Sequence, residues 1–274
     1  MKSTWLIEKD LFEDTEIDLI GTVKRLGYPI KVVKYIPMDD DLSWLERMFK
    51  PEDCVIYYGS LNLGLKIKKF GWIPGCYGTI EKYSCTNYYP YFGINHINSE
   101  YQVMTYGELL LKKVELFSKN NVIFVRPNSI LKEFTGMAVS EYNFDRAYAL
   151  MGFYNDVVSS DLPIIVSTVK EIKKEWRFVV IGSTIISGSL YRSGDDDKTL
   201  HEPCTDHQAL EFAKEMAKLY QPDNVWVLDI CLSNLGYKVM EIGCFSFAGL
   251  YGGDLDVIVE KVSNTAIDEK MGRT

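Results

Sequence analysis

Two acids interrupt segments that are otherwise apolar: "VWVLDICL" places Asp229 between Leu228 and Ile230, and "KVMEIGCF" places Glu241 between Met240 and Ile242. A carboxylate inside an apolar strand costs several kcal/mol, roughly the scale of a buried unpaired charge, unless something compensates it. If the two strands pair antiparallel, a loop from Ser233 to Tyr237 sets Asp229 opposite Glu241, and a loop one residue shorter throws the acids to opposite faces. Carboxylates placed directly opposite each other repel. Two explanations stay open. Either both acids hold a hard divalent cation such as Mg2+, which keeps water and phosphate oxygens in its shell, or each has its own Lys or Arg or lies at a wet sheet edge.

Arg177 and Arg192 bracket a hairpin, and Glu175 shares a face with Arg177 through the two-residue period of a strand. A single strand arginine is most simply solvent-facing. Beside two interior carboxylates, however, fixed guanidinium groups, a cation and phosphates make up the set that stabilises charge in phosphoryl transfer. In "FVRPNSILKEFTGMAV", Arg126 ends one strand and Lys132 leads through Phe134, Thr135 and Gly136 into the next. This basic connection could close over phosphates, although it matches neither G-x-x-x-x-G-K-[ST] nor G-x-G-x-x-G. His96, His201 and His207 are scattered, and no serine elbow or Cys–His pairing points to hydrolysis. "GDDDK", residues 194 to 198, reads as a solvated loop tip. Tyr57, Tyr58, Gly59 and Ser60 end a strand and open toward a helix, an edge that either binds a ligand or simply turns.

The elements that must position these residues are legible in outline. "TWLIE", "YPIKVVKYI" and "CVIYYG" read as strands, and "DTEIDLIGTVKRLG" as a helix ending at Gly27, the alternation of a small parallel sheet. Residues 71 to 100 are rich in Tyr, Gly and Asn and show no period, and their tyrosines read as core rather than interface. "TYGELLLKKVELFSKN" reads as one amphipathic helix with Leu109, Leu110, Val114 and Leu116 on its apolar side. From residue 121 strands joined by hairpins take over. Gly182 and Ser183 have the chemistry of a type II′ turn, which would set Arg177 opposite Gly188. Residues 206 to 220 read as a helix with a capping box from Thr205 to Gln208. The fold class expected is an α/β N-terminal domain over 1–120 followed by an α+β domain over 121–274, with lobes at about 121–165 and 166–265.

Composition narrows the functions. The 274 residues are 47% hydrophobic and 13% aromatic, ample for a packed core. A formal charge of -8 argues against nucleic acid as the main ligand. No apolar run approaches the ~18 residues of a membrane span, and acids interrupt the opening residues, so a cytoplasmic protein with no membrane partner is expected. The six cysteines show no C-x-x-C pair and read as reduced thiols.

Taken in order, the motifs resemble the ATP-grasp superfamily. "EWRFVVIGSTIISGSLYR" is similar to the arginine-containing hairpin of glutathione synthetase-like and ribosomal-protein glutamate ligase-like members. "VLDICLSNLGYKVMEIGCFSFAGLY" resembles their two metal-binding strands. "YYGS", "FVRPNS…K.FTG" and "EWR" resemble phage and bacterial ATP-grasp proteins of uncertain substrate. The resemblance implies two lobes clasping ATP, with Asp229 and Glu241 as magnesium ligands, Lys132 and Arg126 on the phosphates, and Val166 and Ser167 as the adenine hinge. It further implies Glu175 near the ribose, Arg177 and Arg192 facing the phosphates and an acyl phosphate, and Tyr58 and Ser60 beside the second substrate. Such enzymes join a carboxylate to an amine on a small molecule, peptide or protein, consuming ATP with Mg2+. Gly243 stands where that pattern has Asn, which removes one side-chain ligand. A kinase-like or ATP-sensing protein without ligation and a protein-interaction module are the alternatives, and a homodimer is left open.

Overall fold

Apolar strands alternating with helices build the first part of the chain. The computed structural model describes residues 2–11, 13–37, 41–153, 158–194 and 198–273. β1 (Ser3–Glu8), α1 (Glu13–Arg25), β2 (Ile30–Val33), α2 (Ser43–Glu46), β3 (Cys54–Tyr58), α3 (Leu61–Ile67) and β4 (Ile73–Gly75) follow in turn. The strands form a parallel sheet in the order β2-β1-β3-β4. β3 is buried along its whole length, as a parallel strand covered on both faces should be.

The stretch without a period contains α4 (Cys85–Phe92), preceded by a 3-10 turn at Ile80–Tyr83. Most of its aromatic residues serve as core, with Tyr83, Tyr88, Tyr89 and Phe92 buried, while Tyr91 is exposed. The helix is held from two sides. The backbone N–H groups of Cys85 and Thr86 donate to the carbonyl and side chain of Asn128, and Thr79 and Tyr83 donate to the carboxylate of Asp223. A segment packed between two other parts has no single apolar stripe to reveal it.

Next come β5 (Tyr101–Thr105), α5 (Tyr106–Leu111), α6 (Lys113–Lys119), β6 (Val122–Pro127), β7 (Met137–Ser140), α7 (Phe144–Phe153) and β8 (Pro163–Thr168). Their strands form an antiparallel sheet, β5-β8-β6-β7. β5, which precedes residue 120, thus pairs with β8 of this sheet. The single helix expected over this region breaks at Lys112, and only part of its presumed apolar side is buried: Leu109 and Leu116 are inside, Leu110 and Val114 exposed.

The remaining elements are β9 (Ile172–Ile181), β10 (Thr184–Ser193), β11 (Glu202–Pro203), α8 (His207–Met216), β12 (Val225–Ser233), β13 (Gly236–Cys244) and α9 (Leu255–Lys270). The large sheet runs β11-β10-β9-β12-β13. Trp176, Phe178, Trp226 and Leu228 pack from one face onto α4 and α8, while Val179 and Val227 pack from the other toward α9 and the first sheet. Val166 and Ser167, expected as the hinge, lie inside β8 with β5 on one side and β6 on the other. Their backbone groups face neighbouring strands, and residues 169–171 make the connection between sheets. α8 is capped by Asp206, which accepts from the N–H groups of Gln208 and Ala209, rather than by Thr205. The expected acidic tip at residues 195–197 lies outside the described residues.

All six cysteines are free. No helix among the described residues is long and apolar enough to cross a membrane. Since Asp223 receives donors from both Thr79 and Tyr83, Asp223→Ala should cost about 2 kcal/mol, visible in a thermal melt as a midpoint lowered by roughly 4–8 °C. An unchanged midpoint would remove Asp223 as the clasp on α4.

Candidate active site

Directly opposed residues in an antiparallel sheet share a face. Across β10, β9, β12 and β13 the pairs Ser189↔Arg177, Arg177↔Asp229 and Asp229↔Glu241 line up in one row. The acids thus stand opposite each other, but by a different route from the long loop expected. The β12–β13 turn is tight, with Ser233 paired to Gly236, and the ladder runs on to Ile230↔Val239 before Met240 bulges out and Asp229 meets Glu241. A flat ladder would give Asp229 Met240 as its partner and turn Glu241 to the other face. On the far side a bulge at Ile186 shifts the partner of Arg177 from the expected Gly188 to Ser189.

Arginines hold the two charges. Arg177 donates from Nε and Nη2 to the two oxygens of Asp229 at 2.8 and 2.7 Å, and from Nη1 to the carbonyl of Gly249 at 3.2 Å. Tyr191 and Tyr251 stack with centroids 4.9 Å apart, and the guanidinium carbon lies 5.7 and 5.2 Å from them. Glu241 accepts from Nη1 of Arg126, 3.3 Å away on β6 of the smaller sheet. Each acid thus has a basic neighbour of its own. The Asp229 side chain is only 2% exposed and that of Glu241 is 39% exposed. Burial pushes Asp229 up to about 6 against the pull of Arg177, and the charges of Glu241 and Glu175 add to the rise.

A second cluster flanks the row. Buried Glu175 accepts from the Tyr191 hydroxyl at 2.6 Å and from Nη1 of Arg192 at 3.2 Å, and Arg192 is partly exposed. Lys132 is exposed on the β6–β7 loop with φ 55. Further along that loop, a Cβ at Gly136 would meet the Phe124 ring at 2.8 Å and the Arg126 Cβ at 3.2 Å, so the loop crosses closely over Arg126.

Tyr58 and Ser60 are engaged in building the first-sheet edge. The Tyr58 hydroxyl donates to the Ala248 carbonyl at 2.6 Å, and Ser60 Oγ donates to Glu8 at 2.7 Å while capping α3. Their link to the site runs through the loop bearing Ala248, Gly249 and Tyr251. Beside that loop, Tyr251, Gly252 and Gly253 line an open cleft of about 460 Å³ with Asp18, His201 and Pro203.

No group of three His, Cys, Asp or Glu able to hold a metal is gathered among the described residues. Both oxygens of Asp229 are taken by Arg177. At Gly243 an added Cβ would lie 2.9 Å from Val227 Cγ2, so the position has no room for a ligating side chain without movement of that valine. The donor set fits one divalent ion on the exposed part of Glu241 that brings phosphate and water ligands with it. Sequence reading missed Tyr191, Tyr251 and the Gly249 carbonyl, none of which belongs to a spacing motif.

The chain matches the family model for the ATP-grasp domain, R2K clade family 3, over residues 33–262. It shares its fold with D-cycloserine synthetase DcsG at 12% identity and a TM-score of 0.61, covering 96% of this chain and 99% of that one. D-alanine–D-alanine ligase from Bacillus anthracis complexed with ATP aligns at 11% identity and a TM-score of 0.61, covering 100% of both chains. The ATP-grasp ligase PsnB complexed with minimal precursor aligns at 10% identity and a TM-score of 0.57, covering 98% and 100%. Among curated proteins none matches significantly by sequence. With the family match extending over most of its length, and two antiparallel sheets following the parallel one, the chain belongs to the ATP-grasp domain family, R2K clade family 3.

Proposed function

We propose that the chain is an ATP-dependent ligase that activates a carboxylate as an acyl phosphate and transfers the acyl group to an amine. The observation that carries this reading is the position of two arginines from different sheets, Arg177 and Arg126, on one pair of neighbouring acids. Their charge is fixed in place before a nucleotide arrives, which is the arrangement that stabilises developing phosphoryl charge. A D-alanine–D-alanine ligase and a D-cycloserine synthetase share the fold, and this supports carboxylate–amine chemistry.

In this mechanism an oxygen of the substrate carboxylate attacks the γ-phosphorus, and the bond from that phosphorus to the ADP oxygen breaks. The amine then adds to the acyl carbon, loses a proton and expels phosphate. Arg126 and Lys132 orient the phosphates, and partly exposed Arg192, backed by Glu175, meets the acyl phosphate. Arg177 is too firmly held to swing and acts as a fixed charge beneath them. The exposed part of Arg192 leaves it able to meet the second substrate as well, a small molecule, peptide or protein. Glu241 would hold a magnesium ion together with the nucleotide, and the ion would supply neutralisation of phosphate charge. One pair of observations favours a second reading, nucleotide sensing or kinase-like transfer without ligation: both Asp229 oxygens already accept from Arg177, and Gly243 offers no side-chain ligand.

Incubation with ATP, Mg2+ and pooled amino acids separates the two. Phosphate release that needs both an acid and an amine supports ligation, and nucleotide binding without turnover supports sensing. Glu241→Gln should lower turnover by on the order of 100-fold, the scale for losing one charge-stabilising contact, with the melting curve retained. An unchanged rate would remove Glu241 from the site. Counting Mn2+ with a non-hydrolysable ATP analogue should give a single ion per chain, and a second ion would restore Asp229 as a ligand.

Acid should act through Asp229. As pH drops through about 6, the value to which burial pushes this carboxyl, its protonation loosens the Arg177 clamp and turnover should fall. Stability moves oppositely. With the folded value above the unfolded one, the group's contribution to stability is fully present below about pH 4 and is lost as pH rises through about 6. Asp229→Asn should abolish both trends, and a wild-type pH profile in that variant would sever the link.

A further inference from the structure

Outside the row, one side chain ties the two arginine clusters together. Tyr191 falls between the pairs Leu190↔Trp176 and Arg192↔Glu175, so it is the extra residue of a bulge, the irregularity that re-aims a side chain. From that position it reaches across the sheet. Its hydroxyl donates to Glu175 Oε2 on β9 at 2.6 Å and lies 4.0 Å from Met240 Sδ on β13, at the other end of the strand order β10-β9-β12-β13.

Glu175 divides its oxygens between two donors. Oε2 takes the Tyr191 hydroxyl, and Oε1 takes Nη1 of Arg192 at 3.2 Å. The Glu175 side chain is 3% exposed and that of Arg192 is 45% exposed, so the acid is shut off from water while the guanidinium reaches the open side. A buried oxygen that loses its donor there finds no water in its place. Burial, with the charges of Asp229 and Glu175, holds the Tyr191 hydroxyl well above the usual tyrosine range, so it keeps the proton that it donates. The ring is fixed as well. It stacks on Tyr251 with centroids 4.9 Å and planes 15° apart, and the Arg177 guanidinium carbon lies 5.7 Å from its centre.

We propose that Tyr191 is a positioning residue for Arg192: its hydroxyl locks the Glu175 carboxylate in the orientation that presents Oε1 to the guanidinium. This assignment rests on the reading of Arg192 as the group that meets the acyl phosphate. The Tyr191 hydroxyl is engaged by Glu175, so the residue acts on the reaction through Arg192. The stack with Tyr251 keeps the ring, and with it the hydroxyl, from turning away.

The test compares the full chain with Tyr191→Phe, which keeps the ring and removes the hydroxyl, with Arg192→Ala, and with the two combined. Phosphate release is followed with ATP, Mg2+ and pooled amino acids, and NMR relaxation of 15N-labelled arginine Nε–H groups reads the mobility of Arg192 and Arg177. Tyr191→Phe should lower kcat about tenfold with KM for ATP unchanged, the scale for losing a partner that orients a functional side chain. Arg192 should become mobile while Arg177 stays rigid. Because Tyr191 acts through Arg192, the combined variant should be no slower than Arg192→Ala alone. Losses that multiply in the combined variant, or an Arg192 as rigid in Tyr191→Phe as in the parent, would overturn the assignment. If Tyr191→Phe does not fold, Glu175→Gln tests the same link, and an Arg192 that stays rigid in it overturns the assignment as well. Should the parent chain release no phosphate, the proposed function falls, while the mobility of Arg192 still decides whether Tyr191 positions it.

Discussion

An arginine and an aspartate buried in the middle of a five-stranded sheet set the terms for everything around them. Removing two charges from water costs several kcal/mol per ion, on the scale found for buried pairs, and their attraction offsets this only with good geometry and further partners. Arg177 has both. It meets Asp229 through two parallel hydrogen bonds, places a third on the Gly249 carbonyl and lies against two tyrosine rings. The Gly249 carbonyl and the Tyr251 ring come from the loop after β13, so the pair is stable only if that loop is held down. Its anchors are elsewhere: Ser246 and Ala248 bond to Gly59, Tyr57, Tyr77 and Tyr58 at the edge of the first sheet. A Cβ at Gly252 would come within 2.6 Å of the backbone of His201 and Glu202, so the loop is also pressed against the strand connection beyond β10.

Two bulges decide which residues join that pair. On flat ladders the row would read Gly188, Arg177, Asp229, Met240, with one charge pair and nothing to either side. The irregularities at Ile186 and Met240 turn it into Ser189, Arg177, Asp229, Glu241. Bulges re-aim side chains at the cost of an unpaired residue, and here both fall within a few residues of the charges they align. The Glu241 carboxylate reaches the other sheet only because of this rotation. The contact between sheets through Arg126 is therefore a consequence of one extra residue in β13.

Much of the frame was legible because it obeys simple periods. The parallel sheet and the hairpins follow from apolar runs and turn residues in "CVIYYG", "EWRFVVIG" and "KVMEIGCF". The bulges were not legible, since nothing in "YKVMEIG" marks Met240 as the extra residue, and a long loop produced the same pairing on paper. α4 was hidden because its surroundings supply burial on more than one side. The partners of the acids were also underdetermined. Arg177 and Arg126 were visible as candidates for phosphate, but only coordinates place a guanidinium within 2.7 Å of one carboxylate and 3.3 Å of the other. Tyr251 carried no signal because its role depends on a left-handed backbone at φ 49, which the following glycines hint at but do not fix.

The segment from Tyr77 to Asn98 explains why these parts behave as one device. It bonds Ser246 and Asp223 at one end, Asn128 in its middle, and Val239 and Ser167 at the other. Those partners lie on the large sheet, the smaller sheet and the loop over Arg177. Within the segment Tyr88, Tyr89 and His96 pack on one another, so its contacts with the two sheets and the loop are joined through one buried aromatic group. Contacts that link all three parts of the chain through one buried segment let a first domain with no charge in the row still govern how the row is set.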